Sequence, residues 1–134
     1  MINELNIRVY FEDTDAGGVV FYANYLRYAE RGRTEFLRDM GYESSSLMKQ
    51  ENIAFVVRHL EADYMMPARL DDQLVLRTTL ESVKNASFVM KQSIFCQDNA
   101  VFEMYVTLVA VSLDTIRPAK FSDEMRNKLL GLIE

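Results

Sequence analysis

The 134-residue chain has one cysteine, Cys96, and one histidine, His59. A single cysteine excludes an internal disulfide and any cysteine-based zinc site. A single histidine removes histidine-rich metal sites, and a Ser-His-Asp triad would have to be built around His59 alone. Positive charge is in deficit too. Fifteen Lys and Arg stand against twenty Asp and Glu, a net charge of −5, which argues against a nucleic-acid binder held by phosphate contacts. No apolar run approaches the roughly 20 residues of a membrane span. The opening stretch MINELNIRVY has no basic segment followed by an apolar core, so no signal peptide is expected. No linker, repeat or low-complexity tract divides the sequence. The apolar share of 49% is enough for a core, and the length suits one domain over residues 1–134. A soluble, cytoplasmic protein is expected.

What is present is strong periodicity. Leu5, Ile7, Val9 and Phe11 alternate as in a half-buried strand. From Tyr25 to about Met40 the period becomes helical, and Tyr25, Ala29, Gly32, Phe36 and Met40 fall on one stripe. Asn24 reads as its N-cap and Gly41 as its stop. Gly32 inside the stripe would weaken an isolated helix by ~1 kcal/mol, so another backbone is expected to press close there. A short helix is expected around Ser45–Gln50. In IAFVVRHLEADYMMP, Phe55 and Val57 share one phase and Leu60, Ala62 and Tyr64 the other, which predicts a bulge near Arg58 and His59. Three more strands follow: Leu74, Leu76, Thr78 and Leu80; Phe88, Met90, Gln92 and Ile94; and Phe102, Met104, Val106, Leu108 and Ala110. The connections Lys84–Ala86 and Gln97–Ala100 are hairpin-sized. A last helix fits Ser122–Ile133, capped by Ser122. The order is one strand, a long helix, then four strands joined by short loops. It predicts an α+β fold with a largely antiparallel sheet around one helix, and a sheet edge or face left for a partner chain.

The chemistry-bearing stretch is YFEDTDAGGVVFYANYLRYAERGRTEF, Tyr10–Phe36. Gly17 and Gly18 permit a tight path into the long helix. A helix entrance offers unpaired amide donors that can polarise a carbonyl. Asp15 lies just upstream, and a carboxylate beside amide donors is a minimal hydrolytic site. Taken alone, DTDAGG also reads as a plain strand-to-helix connection. The Asp13–Asp15 spacing brings calcium loops to mind, but the remaining ligands are missing.

RVYFEDTDAGGVVFYANYLRYAERGRTEFL resembles the signature of hotdog-fold acyl-CoA thioesterases of the 4-hydroxybenzoyl-CoA thioesterase type, most closely the branch associated with the bacterial Tol–Pal system. The resemblance continues through IAFVVRHLEADYMMPARLDDQL. It implies a hotdog fold and hydrolysis of an acyl-CoA, or an acyl-carrier-protein thioester, to free acid and thiol without metal or organic cofactor. By this resemblance Asp15 is the catalytic nucleophile or general base. The amides of Val20, Phe21 and Tyr22 are the oxyanion donors, and Glu30 lines the site. The alternative for Glu30 is a helix-surface ion pair with Arg27 or Arg33. Tyr22 stands where the Tol–Pal branch commonly has His and hydroxybenzoyl-type enzymes have Tyr. It would shape the pocket, since an ordinary phenol, pKa ~10, is no base near neutral pH. His59 is expected on the pocket wall. Lys84 and Ser87 flank a turn that in related enzymes lies near the CoA phosphates, and Met65 and Met66 are candidates for an apolar acyl pocket. Cys96 reads as core filling. The resemblance also implies a homodimer or homotetramer. Two rival functions remain: a hydratase of the same fold, disfavoured because no His lies near Asp15, and a non-catalytic acyl-binding or scaffold protein.

Overall fold

The computed structural model describes residues 1–133. In order along the chain, β1 (Ile2–Arg8) leads through a 3-10 turn (Phe11–Asp13) to the long helix α1 (Asn24–Asp39). A short helix α2 (Ser44–Ser46) continues into a wide turn over Leu47–Glu51. Then come β2 (Ile53–Tyr64), β3 (Gln73–Val83), β4 (Ser87–Cys96), β5 (Asn99–Ser112) and the helix α3 (Asp123–Leu130). The strands form one antiparallel sheet in the order β1-β3-β4-β5-β2. This is the hotdog arrangement that the sequence resemblance implies.

The period-2 pattern is realised on the face toward α1. Leu74, Leu76, Thr78 and Leu80 of β3, Phe88, Met90, Gln92 and Ile94 of β4, and Phe102, Met104, Val106, Leu108 and Ala110 of β5 are all buried. From α1, Tyr25, Tyr28, Ala29, Gly32, Phe36 and Leu37 are buried against them. Each large side chain removed from water in this way contributes ~1.5–3 kcal/mol.

Gly32 sits over a polar spot in the apolar layer. The Gln92 amide donates to the Ala29 carbonyl at 2.8 Å and to Thr78 Oγ1 at 3.0 Å, and accepts from Arg33 Nη1 at 3.1 Å. A Cβ on Gly32 would collide with Leu76 Cδ2 and come within 3.0 Å of Thr78 Oγ1 and Gln92 Nε2. Side chains of the chain's own sheet, not another backbone, require the glycine.

Other expectations are corrected in detail. Phe11 leaves the strand phase for the 3-10 turn and is 81% exposed. Asn24 is not the N-cap. It is the first helical residue, buried, and Ala23 stands before it without a side-chain cap. The β2–β3 connection is no hairpin, because β2 pairs only with β5 at one sheet edge while β3 lies beside β1. The segment 65–72 therefore crosses between the two sides of the sheet. Three features match: a register shift between Val57 and His59 that leaves Arg58 as the extra residue, a left-handed Gly41 (φ 98°), and Ser122 capping α3 by accepting from the Met125 amide at 3.1 Å. No described helix is long and apolar enough to cross a membrane.

Candidate active site

Asp15 occupies the first position of a tight hairpin. Thr14 and Val20 bridge, the Asp15 amide donates to the Val19 carbonyl (2.9 Å), and Gly18 N–H returns to the Asp15 carbonyl (3.0 Å). Closing this turn places Gly18 at φ 77°, a region where a side chain costs about 1–2 kcal/mol. The Gly17 amide donates to Asp15 Oδ1 at 2.9 Å. That bond fixes the carboxylate, while Oδ2 accepts no hydrogen bond among the described residues. Asp15 is exposed, so this oxygen is open to an incoming molecule.

The hairpin is fastened to the mouth of α1 through Asp13, its buried neighbour. Asp13 Oδ2 accepts the Tyr10 amide at 2.8 Å and Oδ1 accepts Asn24 Nδ2 at 2.7 Å. The Asp13 carbonyl accepts the Phe21 amide at 3.0 Å. The Tyr28 hydroxyl is buried nearby. Its pKa is raised above 10.0, first by burial and then by the Asp13 carboxylate.

An account of the amides separates the three expected donors. Val20 N–H donates to the Ala68 carbonyl (2.8 Å) and Phe21 N–H to the Asp13 carbonyl (3.0 Å). Neither is free, and the expectation that both are oxyanion donors is corrected: their amides build the loop. The amides of Tyr22 and Ala23 have no partner among the described residues, as befits a helix entrance without a side-chain cap. The Tyr22 side chain is 65% exposed and packs on Phe21 at a centroid distance of 4.8 Å.

Glu30 forms no ion pair within 4 Å among the described residues. It lines a cleft of about 440 Å³ between α1 and β2 with Arg33, Leu37, Leu47, Phe55 and Leu108. Burial lowers the pKa of the Arg33 guanidinium, and the Glu30 charge opposes the shift. His59 does not line this cleft. It is exposed on the β2 edge, with Nε2 3.4 Å from Glu61 Oε1. Met65 and Met66 are about half exposed and lie outside the cleft as well. Cys96 is half-buried, its thiol pKa raised by burial and then by Asp72. Among the described residues, no three His, Cys, Asp or Glu side chains gather to hold a metal ion.

Lys84 and Ser87 are together but far from Asp15. With Ser82, Thr107 and Arg58 they line a small cavity of about 110 Å³. Arg58, which the sequence marks only as a bulge position, lines it too as the extra residue of β2. The Asp15 hairpin is hydrogen-bonded to residues 68–70, just before β3 begins at Gln73, whereas Lys84 follows its end at Val83. The 11 residues of β3 separate the two places, about 33 Å from first to last at 3.3 Å per residue.

Comparison with known proteins gives one consistent picture. Residues 9–129 match the model of the thioesterase-like superfamily. The chain is 38% identical over 120 residues to the acyl-CoA thioesterase YbgC of Haemophilus influenzae, covering 90% of this chain and 88% of that protein. It is 43% identical over 113 residues to the acyl-CoA thioester hydrolase YbgC of Escherichia coli O6:H1, covering 84% of each. The crystal structure of a probable thioesterase from Bartonella henselae superposes with a TM-score of 0.87 at 34% identity, over 91% of this chain and 100% of that one.

Proposed function

The chain belongs to the thioesterase-like superfamily, and on that premise we propose that it is an acyl-CoA thioesterase that releases a free acid and coenzyme A. The observation that carries the reading is a carboxylate oxygen without a partner, on Asp15, in the loop that ends at the free amide of Tyr22. The Tyr22 N–H, supported by Ala23, holds the thioester carbonyl oxygen and the charge that develops on it. Asp15 Oδ2 serves the carbonyl carbon, either as attacking oxygen or as acceptor of the proton of an attacking water. The thiolate of coenzyme A then leaves and is protonated. Attack by water gives the free acid directly, whereas attack by the carboxylate gives an Asp15 anhydride that water hydrolyses to the free acid and the original carboxylate. A thioester is activated enough to need no metal. The acyl group lies in the cleft under Glu30.

The reading includes assembly. β2 is an edge with apolar side chains in water, so two copies pair there into a homodimer. The 84–87 turn lies at the Ile53 end of β2, since Ile53 pairs with Ser112 and Ala110 N–H bonds the Ala86 carbonyl. Tyr22 meets the other end, where the Tyr64 hydroxyl bonds its carbonyl. Antiparallel pairing of two β2 strands sets one end against the other. It brings the partner subunit's Lys84 and the partner subunit's Ser87 toward this chain's Asp15, where they hold the CoA phosphates.

The test is a panel of acyl-CoA and acyl-carrier-protein thioesters assayed for thiol release, with Asp15→Asn beside the wild type. The variant is expected to fold and to lose roughly 100-fold or more in kcat. Full activity of Asp15→Asn moves the site elsewhere. Acyl-CoA binding without hydrolysis by the wild type favours a scaffold role.

A further inference from the structure

The Tyr22 backbone is held from two sides. The carbonyl before it, of Phe21, accepts the Asn24 amide at 2.8 Å. Its own carbonyl accepts the Tyr64 hydroxyl at 3.0 Å. The first bond belongs to the opening turn of the helix. The second comes from the far end of β2, 42 residues away in sequence. Tyr64 is the last residue of the strand, beyond its bulge at Arg58, and is about half exposed. Its ring is nevertheless fixed, with edge contacts to Tyr25 at 5.5 Å and to Phe102 at 5.1 Å. Those two rings are buried and stacked on each other at 5.2 Å and 15°. Tyr25 is pinned in turn, its hydroxyl accepting the Ala68 amide at 3.0 Å. A chain of aromatic rings thus runs from the core of β5 to a single hydroxyl aimed at one carbonyl.

We propose that Tyr64 is a positioning residue for the reaction: its hydroxyl, bonded to the Tyr22 carbonyl, sets the direction of the free amides of Tyr22 and Ala23 that receive the thioester oxygen. This rests on the thioesterase reading of the preceding subsection. Two effects follow from the geometry. Fixing the Tyr22–Ala23 peptide plane fixes the direction of the Ala23 N–H and limits rotation about the Tyr22 Cα. A donor on the carbonyl also polarises that peptide and makes its N–H a stronger donor. Donors held in advance of charge development lower the barrier, whereas donors that must reorient do so less. The Tyr64 phenol is suited to constant donation. Burial, then the neighbouring Tyr22 and Tyr25, raise its pKa above 10.0, so it keeps its proton across the pH range in which a thioesterase works.

Tyr64→Phe removes the hydroxyl and keeps the ring contacts, so the fold is expected to persist. Its kcat for the best acyl-CoA should fall by roughly 5- to 10-fold, with KM changed less than about twofold. The backbone amide NMR resonances of Tyr22 and Ala23 should shift in the same variant, that of Ala23 most, because its peptide loses the donor on the Tyr22 carbonyl. An unchanged kcat overturns the proposal, as does a rise in KM that accounts for the whole loss, which would make Tyr64 a pocket wall. Unchanged resonances at both amides overturn it too. Wild-type protein that releases no thiol from any acyl-CoA overturns the underlying reading instead, and this is distinguishable because the amide resonances do not depend on turnover.

Discussion

Replacing Gly32 with Ala sets two effects of known sign against each other. Ala is the better helix former by about 1 kcal/mol, so at an exposed position the change would stabilise. At Gly32 the new methyl collides with Leu76 Cδ2 and reaches within 3.0 Å of Thr78 Oγ1 and Gln92 Nε2. Leu76, Thr78 and Gln92 are completely buried, so none can swing into solvent. If α1 lifts off the sheet, overpacking costs about 1–3 kcal/mol. If Gln92 turns away, its bonds to the Ala29 carbonyl and Thr78 break, and a buried amide left unpaired costs a further 1–3 kcal/mol. The clash wins, and a net loss of about 3 kcal/mol is expected. Unfolding entropy near 2.1 cal/mol/K per residue makes this a fall in Tm of about 10 °C for a chain of this length. The assay is thermal melting by circular dichroism at one fixed protein concentration, since association makes Tm concentration-dependent. A Gly32→Ala protein melting at or above the wild-type temperature would refute the close contact of α1 with β3 and β4.

Asp13→Asn should destabilise by about 2 kcal/mol and lower kcat as well, because Tyr10 N–H and Asn24 Nδ2 donate to different carboxylate oxygens and the NH2 that replaces one of them cannot accept; melting and steady-state kinetics report the two effects. Tyr22→Phe should keep most of kcat, since the backbone amide and not the exposed phenol faces the reaction; a loss as large as that of Asp15→Asn would put the hydroxyl in the chemistry. Lys84→Ala should raise KM for acyl-CoA, more so at low salt, and hardly affect a short thioester lacking the nucleotide; equal effects on both would remove Lys84 from phosphate binding.

Much of the fold was legible because one pattern decides it. Alternation through β3, β4 and β5 names the face that α1 covers, and the phase break at Arg58 and His59 marks a real bulge. Strand partners were not legible. Nothing local in residues 65–72 says that this segment crosses the sheet, and four strands joined by short loops do not by themselves tell which of them pair. Asn24 was misread for a physical reason: Asn caps helices often, but here the buried Asp13 carboxylate competes for its side chain and draws it one position into the helix. The site was half legible. DTDAGG located the turn, and φ 77° at Gly18 confirms why glycine is there. Which amides remain free depends on Ala68, brought from 48 residues beyond Val20, and no periodicity encodes such a bond. Tyr64 was visible only as a strand residue, because its hydroxyl matters through a carbonyl, and carbonyls leave no mark in a sequence.

The two sheet edges differ in a way that, under the proposed function, would tie assembly to turnover. β1 is short, places Asn3, Glu4, Asn6 and Arg8 along its length, and engages Arg77 through Glu4 at 3.0 Å. Such an edge discourages pairing. β2 is 12 residues long and leaves Val56, Val57, Leu60 and Tyr64 between 37% and 47% exposed. An edge of that length and composition is stable in water when another strand covers it. Its far end carries the Tyr64 hydroxyl that bonds Tyr22, so a strand pairing on β2, as proposed above, would lie beside the helix mouth. With Lys84 about 33 Å along β3 from the Asp15 hairpin at 3.3 Å per residue, a lone chain would lack the proposed phosphate contact for its own site. Activity per chain should therefore fall on dilution through the dissociation range, mostly as a rise in KM for acyl-CoA. A nucleotide-free thioester should show a smaller rise. Sedimentation run at the same concentrations locates the transition. A chain shown to be monomeric that still turns over acyl-CoA with the KM of the concentrated protein would break the link between the β2 edge and the substrate.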